Sequence, residues 1–207
     1  MDIAVIGTGN MGRGIATVAL AGGHRVTLLG TTPEKAQALA AALPGDVHAG
    51  TVGDPIDGEV VVLAVWYPAV SDVLDRYGDQ LDGKVVVDIT NPIDPEAFEP
   101  LRIDAGSVAQ EIAANVPGAR VVKAFNTTFA GTLAQSQVAG QPLDVFIASD
   151  DDDAKAVVSQ LARDGGLRPV DAGRLARAHE LEALGFLHMA LQEPLGTGFT
   201  STVKVLS

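Results

Sequence analysis

Hydrophobic positions along the chain alternate between short runs rich in Val and Ile and longer stretches with helical spacing, which is typical of βαβ units. The short runs predict strands over residues 2–6, 25–29, 46–50, 60–65, 85–89, 121–125, 144–148 and 168–171. The longer stretches predict helices over residues 11–21, 32–43, 107–116, 150–164 and 178–192. The run 60–65 is apolar throughout, as expected of a central strand buried on both faces. The pattern therefore predicts an α/β protein with a Rossmann-type, doubly wound parallel sheet.

Capping residues support several of these boundaries. Thr32 precedes Pro33, and Ser107 with Gln110 forms a capping box, so both serine and threonine are predicted to begin helices. The density of Pro and acidic residues predicts an irregular loop over residues 91–103. We predict a dinucleotide-binding Rossmann domain over residues 1–150, and a small C-terminal helical extension over residues 151–207 that completes an acceptor site.

Composition narrows the function. The 207 residues carry a formal net charge of −12 and no cysteine. The acidity disfavours binding to nucleic acid or to an anionic membrane surface. The lack of cysteine excludes disulfides, thiolate metal sites and cysteine nucleophiles, so redox chemistry would need a bound organic cofactor. Apolar runs are too short to span a bilayer, and the first residues read as a strand and not as a signal peptide, which predicts a cytoplasmic protein.

The loop after the first predicted strand has the sequence Gly7-Thr8-Gly9-Asn10-Met11-Gly12. A G-x-G-x-x-G motif between a strand and a helix indicates a dinucleotide site. The first glycine permits the tight turn, the second lets the backbone approach the pyrophosphate, and the third lets helix and strand pack closely. The alternative is that the glycines only turn the chain.

The end of the second predicted strand bears on cofactor choice. NAD-specific proteins place an acidic residue there for the ribose hydroxyl. This chain has Thr31 and Thr32, followed by Lys35, and all three could meet a 2′-phosphate. NADP is therefore favoured over NAD, with the alternative that Thr32 is only a helix cap.

Three further strand ends supply candidate contacts, because open α/β sheets bind ligands at the carboxyl ends of their strands. Ala64, Val65 and Trp66 end one strand, and Trp66 with Tyr67 could flank the nicotinamide ribose or could equally be packing residues. Further candidates follow the next two strands: Asn91, Pro92, Asn126 and Thr127. Asn91 could bind a carboxamide, or could only form a turn before proline.

No catalytic side chain is predicted. The four histidines are scattered, without the spacing of a helical metal site, and each is interpreted as a surface or helix residue. No Ser-His-Asp constellation is evident, which argues against hydrolysis.

Together these motifs resemble the NADPH-dependent reductases of the deazaflavin coenzyme F420. The resemblance covers nearly the whole chain and is carried by the glycine loop, residues 88–92, residues 149–153 and the segment from Gly166 to Gly173. It implies direct hydride transfer between C4 of the nicotinamide and C5 of the deazaflavin, with no protein acid or nucleophile. It also implies that Asn91, Pro92, Asn126 and Thr127 line the ring pocket, and that residues 196–199 close over the acceptor.

The resemblance leaves the acceptor open. Thr31 and Thr32 stand where the family usually has a serine followed by arginine, and residues 123–128 are also similar to the cytosolic NADPH reductase domain of membrane metalloreductases. We expect F420 as the acceptor. The alternatives are a flavin such as FMN, a small imine as in pyrroline-5-carboxylate reductases, or a non-catalytic NADP-binding regulator. The leucines at 181, 184, 187 and 191 predict a homodimer that buries this stripe, or packing of the stripe on its own sheet.

Overall fold

A computed structural model describes residues 1–206. It contains twelve strands: β1 Asp2–Ile6, β2 Arg25–Gly30, β3 Val47–Thr51, β4 Val60–Leu63, β5 Val85–Asp88, β6 Ile93–Asp94, β7 Glu99–Pro100, β8 Arg120–Lys123, β9 Gln137–Val138, β10 Gln141–Pro142, β11 Asp144–Ala148 and β12 Arg168–Gly173. The α-helices are α1 Asn10–Ala21, α2 Pro33–Ala41, α3 Val70–Tyr77, α4 Val108–Asn115, α5 Ala130–Leu133, α6 Asp152–Asp164, α7 Ala178–Ala190 and α8 Gln192–Leu195.

Eight of the strands form one sheet in the order β12-β11-β8-β5-β4-β1-β2-β3. The pairs from β3 across to β8 are all parallel, whereas β11 runs antiparallel to β8 and parallel to β12. The strand order reverses between β1 and β4, and this is the position at which open α/β sheets bind ligands. The predicted α/β fold with a Rossmann-type sheet and C-terminal helices is confirmed, with a sheet that is mostly rather than wholly parallel.

The two faces of the sheet bury separate hydrophobic clusters. One cluster joins the sheet to α1 and α6 through residues such as Ile15 and Val158, and the other joins it to α3 and α4 through residues such as Val73 and Ile112. Side chains that alternate along a strand point to opposite faces, so the continuous apolar run in β4 supplies both clusters. Coverage of both faces leaves the carboxyl edge of the sheet as the place for a site.

Helix caps follow the local sequence. The side chains of Thr32, Ser107 and Asp151 each accept a hydrogen bond from the backbone N–H three residues on. These contacts satisfy N–H groups that have no partner within the helix. The helix starts predicted at Thr32, Ser107 and the acidic cluster are therefore confirmed within one or two residues.

Several features differ from the pattern-based expectation, and among them helix α5 and the β9–β10 pair were not predicted. Residues 91–103 are not wholly irregular, because β6 and β7 pair as a short antiparallel ribbon. Helix α3 was not predicted, although its buried residues Val70, Val73, Leu74 and Tyr77 have helical spacing. Residues 152–173 add α6 and the sheet strand β12, so the division at residue 150 stays a prediction. No helix within residues 1–206 combines the length and apolarity needed to cross a membrane.

Candidate functional site

The glycine loop joins β1 to α1 at the point where the strand order reverses. Gly7 has a φ of 113°, and a Cβ at this position would overlap the carbonyl oxygen of Ala64. A Cβ on Gly12 would overlap the carbonyl oxygen of Gly7. Gly9 differs, because a Cβ there would meet no atom within 4 Å. The protein's own packing thus requires glycine at 7 and 12, whereas only a ligand could require it at 9.

The N-terminus of α1 is open toward this space. Gly9 is the N-cap residue and makes no side-chain capping bond, and no acidic residue lies in the first turn. The first N–H groups of a helix lack partners within the helix and carry the positive end of its dipole. The loop therefore has the geometry that binds a phosphate. Thr8 lies in the turn, and Ala64 and Val65 form its floor, with the Cβ of Ala64 against Gly12 and a methyl of Val65 against Gly7.

The residues predicted to select NADP lie at the end of β2 and the start of α2. Thr31 and Lys35 are exposed, and the Thr32 hydroxyl accepts a bond from the Lys35 N–H at 3.4 Å. Thr32 is therefore a helix cap, as its alternative interpretation held. Glu34 is the one acidic residue in the first turn of α2. The role of the two threonines toward a 2′-phosphate stays a prediction.

Next to the loop lies a cavity of about 470 Å³. We call it the ring cavity, and its lining residues are Asn10, Met11, Trp66, Ile89, Asn91, Asn126, Thr128, Phe129, Ala130, Gly131, Met189 and Phe199. Trp66 stands at its edge with 73% of its surface exposed, so it is not a core residue. The structure thus brings together residues from the glycine loop, from three strand ends and from the C-terminal region.

Two asparagines provide the main polar groups of the ring cavity. Asn91 Nδ2 donates to the backbone oxygen of Asn126 at 2.8 Å, and Asn126 Nδ2 donates to Asn91 Oδ1 at 2.9 Å and to the Leu181 carbonyl at 2.7 Å. Asn126 Oδ1 is buried and has no hydrogen-bond partner in the described residues. A buried carbonyl oxygen without a partner costs about 1–3 kcal/mol, which a ligand N–H would recover. The carboxamide of a nicotinamide carries such a donor.

Other predicted contacts have different positions. Pro92 lies in a second cavity of about 510 Å³, between the β6–β7 ribbon and α7. The Thr127 side chain is buried outside the ring cavity, and its backbone oxygen binds His188 Nδ1 at 3.1 Å. The Tyr67 hydroxyl donates to Glu111 at 3.1 Å, and its pKa is raised by burial and by that carboxylate. Tyr67 is therefore hydrogen-bonded to α4 and does not line the ring cavity.

Residues 197–206, which we call the C-terminal tail, contribute Phe199 to the lining of the ring cavity. Phe199 packs edge-on against Phe129, with ring centroids 5.1 Å apart. Its N–H donates to Gln192 Oε1 at 3.1 Å, and the Thr197 hydroxyl donates to the same oxygen at 2.6 Å. Gln192 Nε2 donates to Ser201 Oγ at 2.9 Å. One buried glutamine thus fixes the part of the tail that faces the cavity.

His188 belongs to helix α7, as the interpretation of the histidines as surface or helix residues allowed, and its side chain is buried beneath the tail. His24, between α1 and β2, is buried too, so that interpretation was wrong for His24. A carbonyl oxygen only accepts, so the proton of His188 lies on Nδ1, toward Thr127, and Nε2 accepts from the Ser201 hydroxyl at 2.9 Å. The ring stacks on Phe129 with centroids 4.3 Å apart, and burial lowers the pKa of His188. His188 is therefore a neutral support for the tail.

The far end of the tail is held by Asp144. Its buried carboxylate accepts bonds from Arg168 Nε at 2.7 Å, Lys204 Nζ at 3.0 Å and the Val205 N–H at 2.9 Å. Burial alone would raise the pKa of Asp144, but these bonds lower it to about 2. Arg168 also donates to the Val205 carbonyl. The tail therefore has two fixed points, and Phe199 lies near the first.

A cluster of buried charges behind the asparagines was not predicted. We call Asp88, Lys123 and Glu182 the buried charge triad. Lys123 Nζ donates to Asp88 Oδ2 and Glu182 Oε1, both at 2.8 Å, and to the Thr90 carbonyl at 2.6 Å. Glu182 Oε1 also accepts from the Val108 N–H at the start of α4. The sequence signal was a lysine directly after two valines of a buried strand, because a buried lysine requires carboxylate partners.

The fold and the glycine loop define a dinucleotide-binding protein of the Rossmann class. Residues 1–206 contain no cluster of three His, Asp or Glu side chains able to hold a metal. The family model for coenzyme F420-dependent NADP oxidoreductases matches residues 2–92. An F420-dependent NADP reductase from Methanothermobacter thermautotrophicus is 32% identical over 202 residues, covering 89% of this chain and 86% of that protein. The chain belongs to this family and is an NADP-dependent oxidoreductase.

Two further similarities extend this finding. A crystal structure from Arthrobacter sp. FB24, which carries a provisional F420-dependent NADP-reductase name, has a TM-score of 0.86 at 30% identity and covers 99% of each chain. The rat metalloreductase STEAP3 is 33% identical over 183 residues, which is 88% of this chain but 36% of that protein. The resemblance to both groups is thus confirmed. FMN, given above as an alternative acceptor, gains no support from the F420-dependent relatives.

Proposed function

We propose that this protein transfers a hydride between NADPH and the deazaflavin coenzyme F420. The observation that carries the proposal is the lining of the ring cavity. Within residues 1–206 it consists of aromatic, apolar and amide side chains and the hydroxyl of Thr128, and it contains no carboxylate, amine, guanidinium or imidazole group. Such a lining suits a reaction in which two flat rings are stacked, oriented and kept from water. It does not suit acyl transfer or hydrolysis, which need a base or a nucleophile in contact with the substrate.

The proposed placement follows the elements. The N-terminus of α1 binds the pyrophosphate, Thr31, Thr32 and Lys35 meet the 2′-phosphate, and the nicotinamide carboxamide binds Asn126 Oδ1. Phe129, Met189 and Phe199 then form the wall on the acceptor side. Of these, Met189 and Phe199 belong to residues 151–207, which supports our proposal that this extension completes the acceptor site.

In the proposed reaction the C4–H bond of the nicotinamide breaks with its electron pair. The hydride forms a new bond at C5 of the deazaflavin, and a solvent proton balances the reduced acceptor. The chain's part is to bind and orient both rings. The two asparagine amides fix one ring in its plane, and the aromatic wall excludes water from the transfer.

The direct test is anaerobic mixing of the protein with NADPH and F420, followed by absorbance of both compounds. We expect oxidation of NADPH with matched loss of oxidised F420, and slower oxidation when NADH replaces NADPH. A parallel reaction with FMN compares the flavin alternative. Binding of NADPH without its oxidation by F420 would overturn the proposed acceptor while leaving the nucleotide site intact.

We also propose a homodimer. Leu187 on α7, Leu195 on α8 and Leu191 between the two helices are exposed, whereas Leu181 is buried in the protein's own core. Removal of apolar surface from water favours association between subunits. Sedimentation of the protein and of Leu187→Glu should show a dimer and a monomer; a monomeric wild-type protein would contradict the proposal.

A further inference from the structure

The buried charge triad contains one more carboxylate than ammonium. Asp88 and Lys123 are fully buried and Glu182 is 6% exposed. Within residues 1–206, Lys123 is the only cation that contacts the two carboxylates. The second cavity, which Glu182 lines, also contains His179 and Arg102, but the Arg102 side chain is 93% exposed and pairs with Asp104. Exposed charges are screened by solvent, so they compensate the buried excess weakly.

The triad lies directly behind the asparagines of the ring cavity. Lys123 binds the carbonyl of Thr90, and the next residue, Asn91, lines the cavity. Glu182 follows Leu181, whose carbonyl accepts the amide of Asn126. Helix α7 approaches closely here, because a Cβ on Gly185 would lie 2.6 Å from Asn91 Oδ1. The triad is therefore linked to the two asparagines at two points, through Thr90 and through Leu181.

Hydride loss changes the charge of the nicotinamide ring from neutral to positive. A negative charge near the ring attracts the oxidised form and has little effect on the reduced form, and this attraction is strong where water is excluded. We propose that the buried charge triad determines redox-state specificity, by favouring the oxidised nicotinamide ring over the reduced ring. The inference rests on the proposed function in one respect, which is that the ring occupies the ring cavity.

The environment of Glu182 is consistent with this role. Burial raises the pKa of Glu182, and Asp88 adds to the rise while Lys123 opposes it. The ionised form of Glu182 is therefore destabilised by its surroundings, and a nearby cation would reduce this destabilisation. Its Oε1 is occupied by Lys123 and Val108, so the charge is fixed in position. Linkage then requires the oxidised nucleotide to bind best when Glu182 is ionised.

The test measures the dissociation constants of NADP⁺ and NADPH for the wild-type protein, Glu182→Gln and Glu180→Gln. Trp66, the only tryptophan of the chain, lies at the ring cavity and can report binding through its fluorescence. Glutamine at 182 keeps an oxygen for Lys123 and Val108 but removes the charge. We expect the ratio of the NADP⁺ constant to the NADPH constant to rise about tenfold. Glu180→Gln removes an exposed charge from the same helix and should leave the ratio unchanged.

The ratio distinguishes an electrostatic role from a structural one, because loss of a purely structural role would weaken the binding of both nucleotides equally. Equal weakening, or an unchanged ratio, in Glu182→Gln would overturn the inference. Asp88→Asn is the second variant, because an asparagine oxygen can still accept from the Thr90 N–H, and it should shift the ratio in the same direction. A wild-type protein that binds neither nucleotide would instead refute the nucleotide site of the proposed function.

Discussion

Different interactions stabilise two opposite walls of the ring cavity. The first wall lies at the N-terminus of α1, and the second faces it across the cavity. The first wall rests on the glycine loop, where Gly7 and Gly12 allow β1, α1 and the Ala64 carbonyl to approach closely. The second wall is α7 and the C-terminal tail, joined to the sheet by buried side chains 59 residues apart, such as Lys123 and Glu182. The glycine loop tolerates no Cβ at Gly7 or Gly12, whereas a wall built from side chains depends on the complete set of charges and hydrogen bonds.

The largest expected effect is on the second wall. Lys123→Leu leaves Asp88 and Glu182 facing each other without a cation, and such a loss costs about 3–5 kcal/mol in unfolding free energy. Urea unfolding measures it. Arg163→Leu, at an exposed position in α6, should change stability by less than about 0.5 kcal/mol. Equal stability of the two variants would show that the triad does not hold the wall.

The next effect concerns the first wall. In Gly9→Val the new Cβ meets no atom of the protein within 4 Å, so the fold should tolerate the change at a cost of about 1 kcal/mol for the poorer N-cap residue, but the new methyl groups obstruct the pyrophosphate. Loss of two charge-assisted hydrogen bonds predicts about 100-fold weaker NADPH binding. Titration calorimetry measures the affinity. Gly12→Val is the contrasting variant and should destabilise the fold itself, because its Cβ overlaps the Gly7 carbonyl. Unchanged affinity in Gly9→Val would refute the placement of the pyrophosphate.

A smaller effect distinguishes the two walls in function. Phe199→Ala removes the aromatic contact with Phe129 at the acceptor side, and such a pair contributes about 0.5–1.5 kcal/mol. We expect the KM for F420 to rise up to about tenfold, with the NADPH dissociation constant unchanged. Leu206→Ala, at the exposed end of the tail, is the control. An equal loss of NADPH affinity would show that the tail belongs to the nucleotide site.

The smallest expected effect is a pH dependence. Burial lowers the pKa of His188 below its ordinary value of 6.5, so the unfolded chain binds more protons than the native protein just below pH 6.5. Stability from neutral His188 is complete above pH 6.5 and is lost as the pH falls toward the lowered pKa. Urea unfolding at several pH values should show a shallower dependence in His188→Gln than in the wild type. His24, whose pKa is also lowered by burial, contributes equally to both proteins, and identical slopes would contradict the assignment.

The reach of the sequence differs between the two walls. Glycine spacing, capping residues and Val-rich runs act over a few residues, so they predicted β1, α1, the helix caps and the nucleotide loop. These local signals could not predict the triad, because no nearby residue indicates that Lys123 pairs with Asp88 and Glu182, which are 35 and 59 positions away. Neighbours in sequence also need not share a cavity: Pro92 adjoins Asn91 in sequence, but its side chain lies in the second cavity.

The sequence by itself determined the strand-loop-helix unit, most of the strands and long helices, and the absence of cysteine chemistry, because these follow from local backbone preferences and composition. Tertiary structure alone decided which side chains share the ring cavity. Met189, Phe129 and Phe199 meet there only after α7 packs on the sheet and the tail is fixed at Gln192 and Asp144. It also decided that His188 is a neutral buried support, because burial and hydrogen-bond partners come from distant segments and leave no local pattern.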